Sequence, residues 1–226
     1  TMNGTTDAFI VKFNASGVRL WGSYYGGVFF DQGMNIAFDA TNNVYLAGYT
    51  VSTTNIASPG AYQTTYGGGG SDAFLAKFSS SGAFQWGTYL GGVNEEGNMD
   101  IASDTSGNVV LAGYTASPSG ISTPGSFQNT YGGGQDAYVA KFNGSGNLLW
   151  STYYGGVNLE YGFGIAVGPG NVIYLGGQTF SPTGIASGGF QNTPGGGGLA
   201  DAFLVKFDSN GNRIWGTDYG GSGTEE

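Results

Sequence analysis

Two series of carboxylates recur at fixed positions in this chain, and they are the side chains best suited to chemistry. Asp7, Asp72, Asp136 and Asp201 form the first series, and Asp31, Glu96, Glu160 and Glu225 form the second. Each member of the first is followed five residues later by a lysine: Lys12, Lys77, Lys141 and Lys206. A ring of carboxylates could hold a cation or a polar ligand, and paired carboxylates could hydrolyse a glycosidic bond. A hard cation wants six or more oxygens at one point, and one acid per unit spread around a ring does not converge. Glu95–Glu96 is the internal adjacent pair, and neighbours on a strand point apart. The chain has no His and no Cys, which removes the commonest general base, the thiolate nucleophile and the usual zinc ligands. No catalytic residue, cofactor or metal is therefore expected.

The spacing has a plainer meaning. DAFIVKF, DAFLAKF, DAYVAKF and DAFLVKF begin at Asp7, Asp72, Asp136 and Asp201, at intervals of 65, 64 and 65 residues. A tryptophan trails each by fourteen positions, at Trp21, Trp86, Trp150 and Trp215. Such a period marks one supersecondary unit repeated, each covering its neighbour's apolar face. Gly is 46 of 226 residues but not every third one, which excludes collagen. The 15 Phe, 15 Tyr and 4 Trp give the chain a core to bury, which excludes disorder. Net charge is −9, which disfavours nucleic acid and anionic membrane as partners. No apolar run approaches the roughly 20 residues of a membrane span.

Each unit reads as four strands, A to D, from β-branched and aromatic runs between Gly, Asn, Asp and Ser clusters. In the first full unit these are A, Met34 to Asp39; B, Val44 to Thr50; C, Asp72 to Phe78; and D, Ala83 to Gly92. The next A strand is expected near Asn98. Phe203, Val205 and Phe207 share one face of a C strand and Ala202, Leu204 and Lys206 the other, so the sheet should be covered on both faces. Four-stranded antiparallel sheets repeated radially make an all-β propeller. An open β-solenoid-like array is the alternative, but solenoid coils usually repeat in about 20–30 residues. The array divides into a half unit at 1–30 and full units at 31–95, 96–159 and 160–224. Two such chains would set C–D against C–D at the joins, so a closed dimer is not expected. The chain reads as part of a longer array.

GNMDIASDTSGNVVLAGYT and TPGSFQNTYGGGQDAYVAKFNGSGNLLWSTYYGG, with their equivalents in the other units, resemble the SBBP-type β-propeller repeat of bacterial and archaeal secreted and cell-surface proteins. The resemblance covers essentially the whole chain. It implies a propeller, an extracellular or cell-surface location and no catalytic residues. The third full unit departs from the pattern: Gly168 stands for Asp39 and Asp104, Gln178 for Tyr49 and Tyr114, and Pro194 for Tyr66 and Tyr131. That puts its turn and loop geometry in question, not its fold.

The repeated charges have a structural reading. The lysine stem would cover apolar surface while its head finds a carboxylate or carbonyl near the blade edge. The Asp that opens strand C would bind turn amides. Lys and Asp, an odd number of residues apart, face opposite ways and are poor mutual partners. The long B–C loops lie on the same side as the second acid series. They carry Tyr62–Gln63, Phe127–Gln128 and Phe190–Gln191, which would suit a sugar or a protein surface, together with Asp31, Glu96 and Glu160. The favoured alternative is that these aromatics plug each loop against its own blade. The expected function is a non-enzymatic scaffold in adhesion, surface assembly or filament building. Its partners would be a protein or glycan at the cell surface, or further copies of the array. The second reading is a carbohydrate-binding propeller.

Overall fold

A computed structural model of the chain describes residues 2–196 and 200–223. The protein is all-β, with one two-stranded and three four-stranded antiparallel sheets. β1 (Ala8–Phe13) and β2 (Arg19–Tyr25) form the small sheet. β3 (Asp31–Phe38), β4 (Val44–Thr50), β5 (Asp72–Phe78) and β6 (Phe84–Leu90) form the next, in chain order. β7 (Glu96–Ser103), β8 (Val109–Thr115), β9 (Asp136–Phe142) and β10 (Leu148–Tyr154) repeat the pattern. So do β11 (Glu160–Val167), β12 (Ile173–Thr179), β13 (Asp201–Phe207) and β14 (Arg213–Tyr219). These are propeller blades in an open array; among the described residues no sheet closes on itself.

Strands B and C fall where the sequence puts them. Strand A starts earlier, at Asp31 and Glu96 rather than at Met34 and near Asn98. The reason is a bulge: the register slips between Gly33 and Asn35 and again between Asn98 and Asp100. A bulge breaks the two-residue alternation by which a strand is recognised. Strand D ends at Leu90, because Gly91 and Gly92 leave the ladder.

The three A strands lie against one another in succession. Asp100 links them: Asn35 Nδ2 donates to its Oδ1 at 2.6 Å, and the Ile165 amide to its Oδ2 at 2.8 Å. Apolar clusters fill the space between consecutive sheets. One joins Ile10 and Tyr25 to Leu46 and Phe74, and another joins Val139 and Tyr154 to Leu175 and Phe203. β5 and β9 are buried at every position, as two-sided cover requires. The outermost sheets are covered less completely, and Phe9 and Leu204 are exposed. The irregular third unit keeps its A–B turn. The Gly168 amide reaches Val172 O at 2.8 Å, as the Asp39 amide reaches Asn43 O at 3.1 Å. What Gly168 removes is a carboxylate.

Candidate functional site

The lysine–tryptophan pair of each unit staples it to the next. Lys12 Nζ and Trp21 Nε1 both donate to Ser80 O, at 3.1 and 3.2 Å. Lys77 and Trp86 converge on Gly144 O at 3.0 and 3.3 Å, and Lys141 and Trp150 on Ser209 O at 3.3 and 3.1 Å. Each acceptor is the second residue of the following C–D turn. Two of the ammonium groups also meet a carboxylate from the A–B turn of their own sheet. Lys77 lies 3.3 Å from Asp39 Oδ2 and Lys141 2.9 Å from Asp104 Oδ2. In the last sheet Lys206 sits 5.4 Å from the centre of the Tyr174 ring, and Trp215 lies 6.3 Å from that ring. Lys12, Lys77 and Lys141 thus reach a carbonyl, and two of them a carboxylate, whereas the contact shown for Lys206 is the Tyr174 ring.

The Asp opening each C strand takes loop amides, as expected. Asp7 accepts from the amides of Asn3 and Gly4, at 2.7 and 3.1 Å. Asp72 Oδ2 accepts from Gly67 N at 2.7 Å, Asp136 Oδ2 from Gly132 N at 2.8 Å, and Asp201 Oδ2 from Gly195 N at 2.6 Å. The second acid series grips the glycine pair that ends strand D and the threonine that ends strand B. Asp31 accepts from Gly27 N at 2.7 Å, from Ser52 Oγ at 3.0 Å and from the Thr50 hydroxyl. Glu96 accepts from Gly92 N at 2.7 Å and Thr115 Oγ1 at 2.6 Å. Glu160 accepts from Gly156 N and Thr179 Oγ1, both at 2.6 Å. Glu225 lies outside the described residues.

The two acid series nevertheless meet in pairs, a contact that counting one acid per unit does not address. Carboxylate oxygens of Asp136 and Glu160 lie 2.5 and 2.7 Å from the point where a Cβ on Gly155 would sit. Those of Asp31 and Asp7 lie 2.6 and 2.9 Å from the same point on Gly26. The glycine pair is therefore a gap that lets one sheet's C strand approach the next sheet's A strand, acid to acid. Strand parity relates residues of one strand and is silent about which strands of neighbouring sheets touch. Burial raises Asp72 and Asp136 to about 7, and the facing glutamate adds to the rise against the loop amides. Burial also raises Asp31 and Glu96, opposed by their hydroxyl and amide donors. Asp218, which stands where the other units have Tyr24, Tyr89 and Tyr153, is buried and raised to about 6 by burial and by Asp201 and Glu160. Among the described residues no three acids gather as a metal cage would require.

The B–C loop residues are divided in role. Gln63 Nε2 donates to Asp72 Oδ2 at 3.3 Å, and its Oε1 accepts from Gly91 N at 2.9 Å. Gln128 repeats both bonds with Asp136 and Gly155, at 3.1 Å each. Gln191 bonds Thr193 O at 2.9 Å and Gly220 O at 3.2 Å. Phe127 packs against its own sheet at Tyr154, 6.0 Å away, and both it and Tyr62 also reach the following sheet. Tyr62 meets Phe142 edge-on at 5.8 Å, and Phe127 meets Phe207 at 6.0 Å with the Arg213 guanidinium 4.5 Å over its ring. Phe190 is 88% exposed.

A feature with no counterpart in the sequence reading is an apolar end. Phe9 is 68% exposed, whereas its equivalents Phe74 and Tyr138 are fully buried. Phe13, Leu20, Tyr24, Ile36 and Phe38 are exposed around it, beside a hollow lined by Ile10, Val11, Trp21 and Val44. Among the described residues β1 has β2 as its one neighbour in its sheet.

No family model matches the chain. It is 25% identical over 276 aligned residues to the uncharacterized WD repeat-containing protein L264 of Acanthamoeba polyphaga mimivirus, an alignment covering all of this chain and 19% of that protein. It is 26% identical over 145 residues to regulatory protein FlaEY of Caulobacter vibrioides, covering 64% of this chain and 15% of that one. The chain thus spans less than a fifth of the length of the curated relatives it matches. The likeness to a WD repeat-containing protein agrees with a propeller-type repeat.

Proposed function

We propose that the chain is a non-enzymatic propeller segment of SBBP type that gives a secreted or cell-surface protein a scaffold for contact with other proteins, in adhesion, surface assembly or filament building. The observation that supports this most is the repeated architecture, in which consecutive sheets pack A strand to A strand and are stapled by lysine–tryptophan pairs, a rigid scaffold of the kind that presents loops to a partner. Phe9, Phe13 and Phe38 are exposed on and beside the two-stranded sheet, and strands of a further repeat array would cover them. In the complete sheets a B strand pairs with C so that Tyr45 faces Lys77 and Thr50 faces Asp72. The same register would set a tyrosine against Lys12 and a threonine against Asp7. The relative described as WD repeat-containing supports a repeat-based interaction scaffold. The commitment of the recurring acids to amide and hydroxyl donors supports the non-enzymatic reading.

The test is capture of a second, differently tagged copy of the chain. Capture by the wild type that is lost in Phe9→Ser with Phe38→Ser supports the scaffold reading, and absence of capture at any concentration counts against it. Carbohydrate binding at the loops is the second reading, favoured by the exposure of Phe190. A glycan array answers it: strong binding that survives Tyr62→Ala, Phe127→Ala and Phe190→Ala together would remove these loops as the site.

A further inference from the structure

We propose that the Asp72–Glu96 and Asp136–Glu160 pairs are proton-binding sites. Each pair takes up one proton in weakly acidic solution, on the aspartate Oδ1, and this proton fastens the loop base of one sheet to the first strand of the next. All four side chains are wholly buried. Both oxygens of each glutamate receive donors, one from a glycine amide and one from a threonine hydroxyl. That pattern uses both oxygens of each glutamate as acceptors. Each aspartate has Oδ2 bound to an amide, while Asp72 Oδ1 and Asp136 Oδ1 are buried with no hydrogen-bond partner. An ionised oxygen left so is costly, and a proton turns it into a donor.

Asp7 is the internal contrast. It lies beside Asp31 in the same way, but both its oxygens accept backbone amides, so neither is left without a donor. Asp201 and Asp218 repeat the arrangement within the last sheet, where each Oδ1 again lacks a partner.

The neighbours favour the proton. Asp72 faces Glu96 on β7, Tyr66 on the β4–β5 loop and Tyr89 on β6. Asp136 faces Glu160 on β11, Tyr131 on the β8–β9 loop and Tyr153 on β10. None of these groups gains positive charge, and among the described residues the lysine ion pairs are made to Asp39 and Asp104 instead. The Glu96 amide donates to Ser71 O at 2.8 Å and the Glu160 amide to Gln135 O at 2.6 Å, which sets each glutamate beside its aspartate, and neighbouring desolvated carboxylates disfavour ionisation of both. Two acids also fall short of the six or more oxygens of a hard cation. The folded-state values of Asp72 and Asp136, raised to about 7, agree. Because they are raised above the unfolded ones, the stabilisation is complete below the ordinary carboxylate range and is lost as pH rises through about 7.

The composition makes this measurable. With no His and no Cys, little besides the terminal amine and such carboxyls titrates between about pH 5 and 9. Potentiometric titration of the native and the urea-unfolded chain, for wild type and for Asp72→Asn with Asp136→Asn, is the experiment. The native wild type should release about two more protons in that interval than the native double variant, and its melting temperature should fall more steeply across the interval than the variant's, in which Asp218 still titrates. Equal release by both proteins overturns the proposal. So does a rise in melting temperature with calcium chloride at neutral pH that the variant lacks, which would make the pairs cation sites. If the variant does not fold, the wild type decides alone: a native chain that binds no more protons near pH 6 than the unfolded chain overturns it.

Discussion

Lys141 Nζ lies 2.9 Å from Asp104 Oδ2, with 5% and 1% of the two side chains exposed. The pair ties β9 to the turn between β7 and β8, and the same ammonium reaches Ser209 O in the next sheet. Removing one partner leaves the other charge buried and unpaired, which costs about 3–5 kcal/mol. Lys141→Met and Asp104→Asn should therefore each lower the urea midpoint strongly. Lys206→Met should cost clearly less, because Gly168 offers no carboxylate to Lys206. Equal losses at the two lysines would show that the carboxylate adds nothing to the clamp.

Acid should weaken the same joint. Burial alone would raise Asp104, but hydrogen bonds from Asn108 and the Lys141 ammonium outweigh it and hold its carboxyl below the usual range. Asp39 is lowered likewise, by Thr41 and Asn43 against burial. A lowered folded-state value means stabilisation that is present above the ordinary carboxylate range and lost as pH falls through the folded value. Melting followed from about pH 6 down to about pH 2 should show this loss, and Asp104→Asn should flatten it. An unchanged slope in the variant would place the acid sensitivity elsewhere.

The glycine between paired acids gives a third expectation. A Cβ on Gly155 would sit 2.5 and 2.7 Å from oxygens of Asp136 and Glu160, closer than any ordinary contact. Gly155→Ala should therefore destabilise by about 1–3 kcal/mol, as overpacking does. Gly22→Ala is the control, because its nearest neighbours stand 3.6 Å away. Thermal melts of the two variants should separate clearly, and coincident curves would mean that the acids yield to make room.

Gln63 and Gln128 supply a fourth. Each bridges a strand-C aspartate to the glycine that parts it from its partner acid. Gln63→Ala removes a donor from a buried carboxylate and an acceptor from Gly91 N, at a cost of about 1–3 kcal/mol. Amide hydrogen exchange at Gly91 should accelerate in that variant, whereas a surface binding role would leave it unchanged.

The B and C strands were legible because runs such as Val44–Thr50 and Asp72–Phe78 are β-formers bounded by turn residues. The start of strand A was not, because the bulge at Gly33 and Asn35 breaks its alternation. The lysines were readable as structural; their acid was not, because Asp39 and Lys77 are joined across a sheet and not along a strand. The acid pairs stayed hidden for the same reason, since Asp136 and Glu160 belong to different sheets. Asp218 carried a usable signal, a carboxylate at a position that is tyrosine in every other unit. The apolar end was out of reach, because Phe9 and Phe74 occupy the same place in the repeat and differ only in what covers them.

Sedimentation velocity over a range of protein concentration tests the scaffold reading most directly. With Phe9, Phe13 and Phe38 exposed on and beside the two-stranded sheet, the chain should associate as its concentration rises. Phe9→Ser with Phe38→Ser should return it to a single slow species with unchanged circular dichroism. A wild-type chain that sediments as one monomer at every concentration, with its apolar end still exposed, would contradict the scaffold reading.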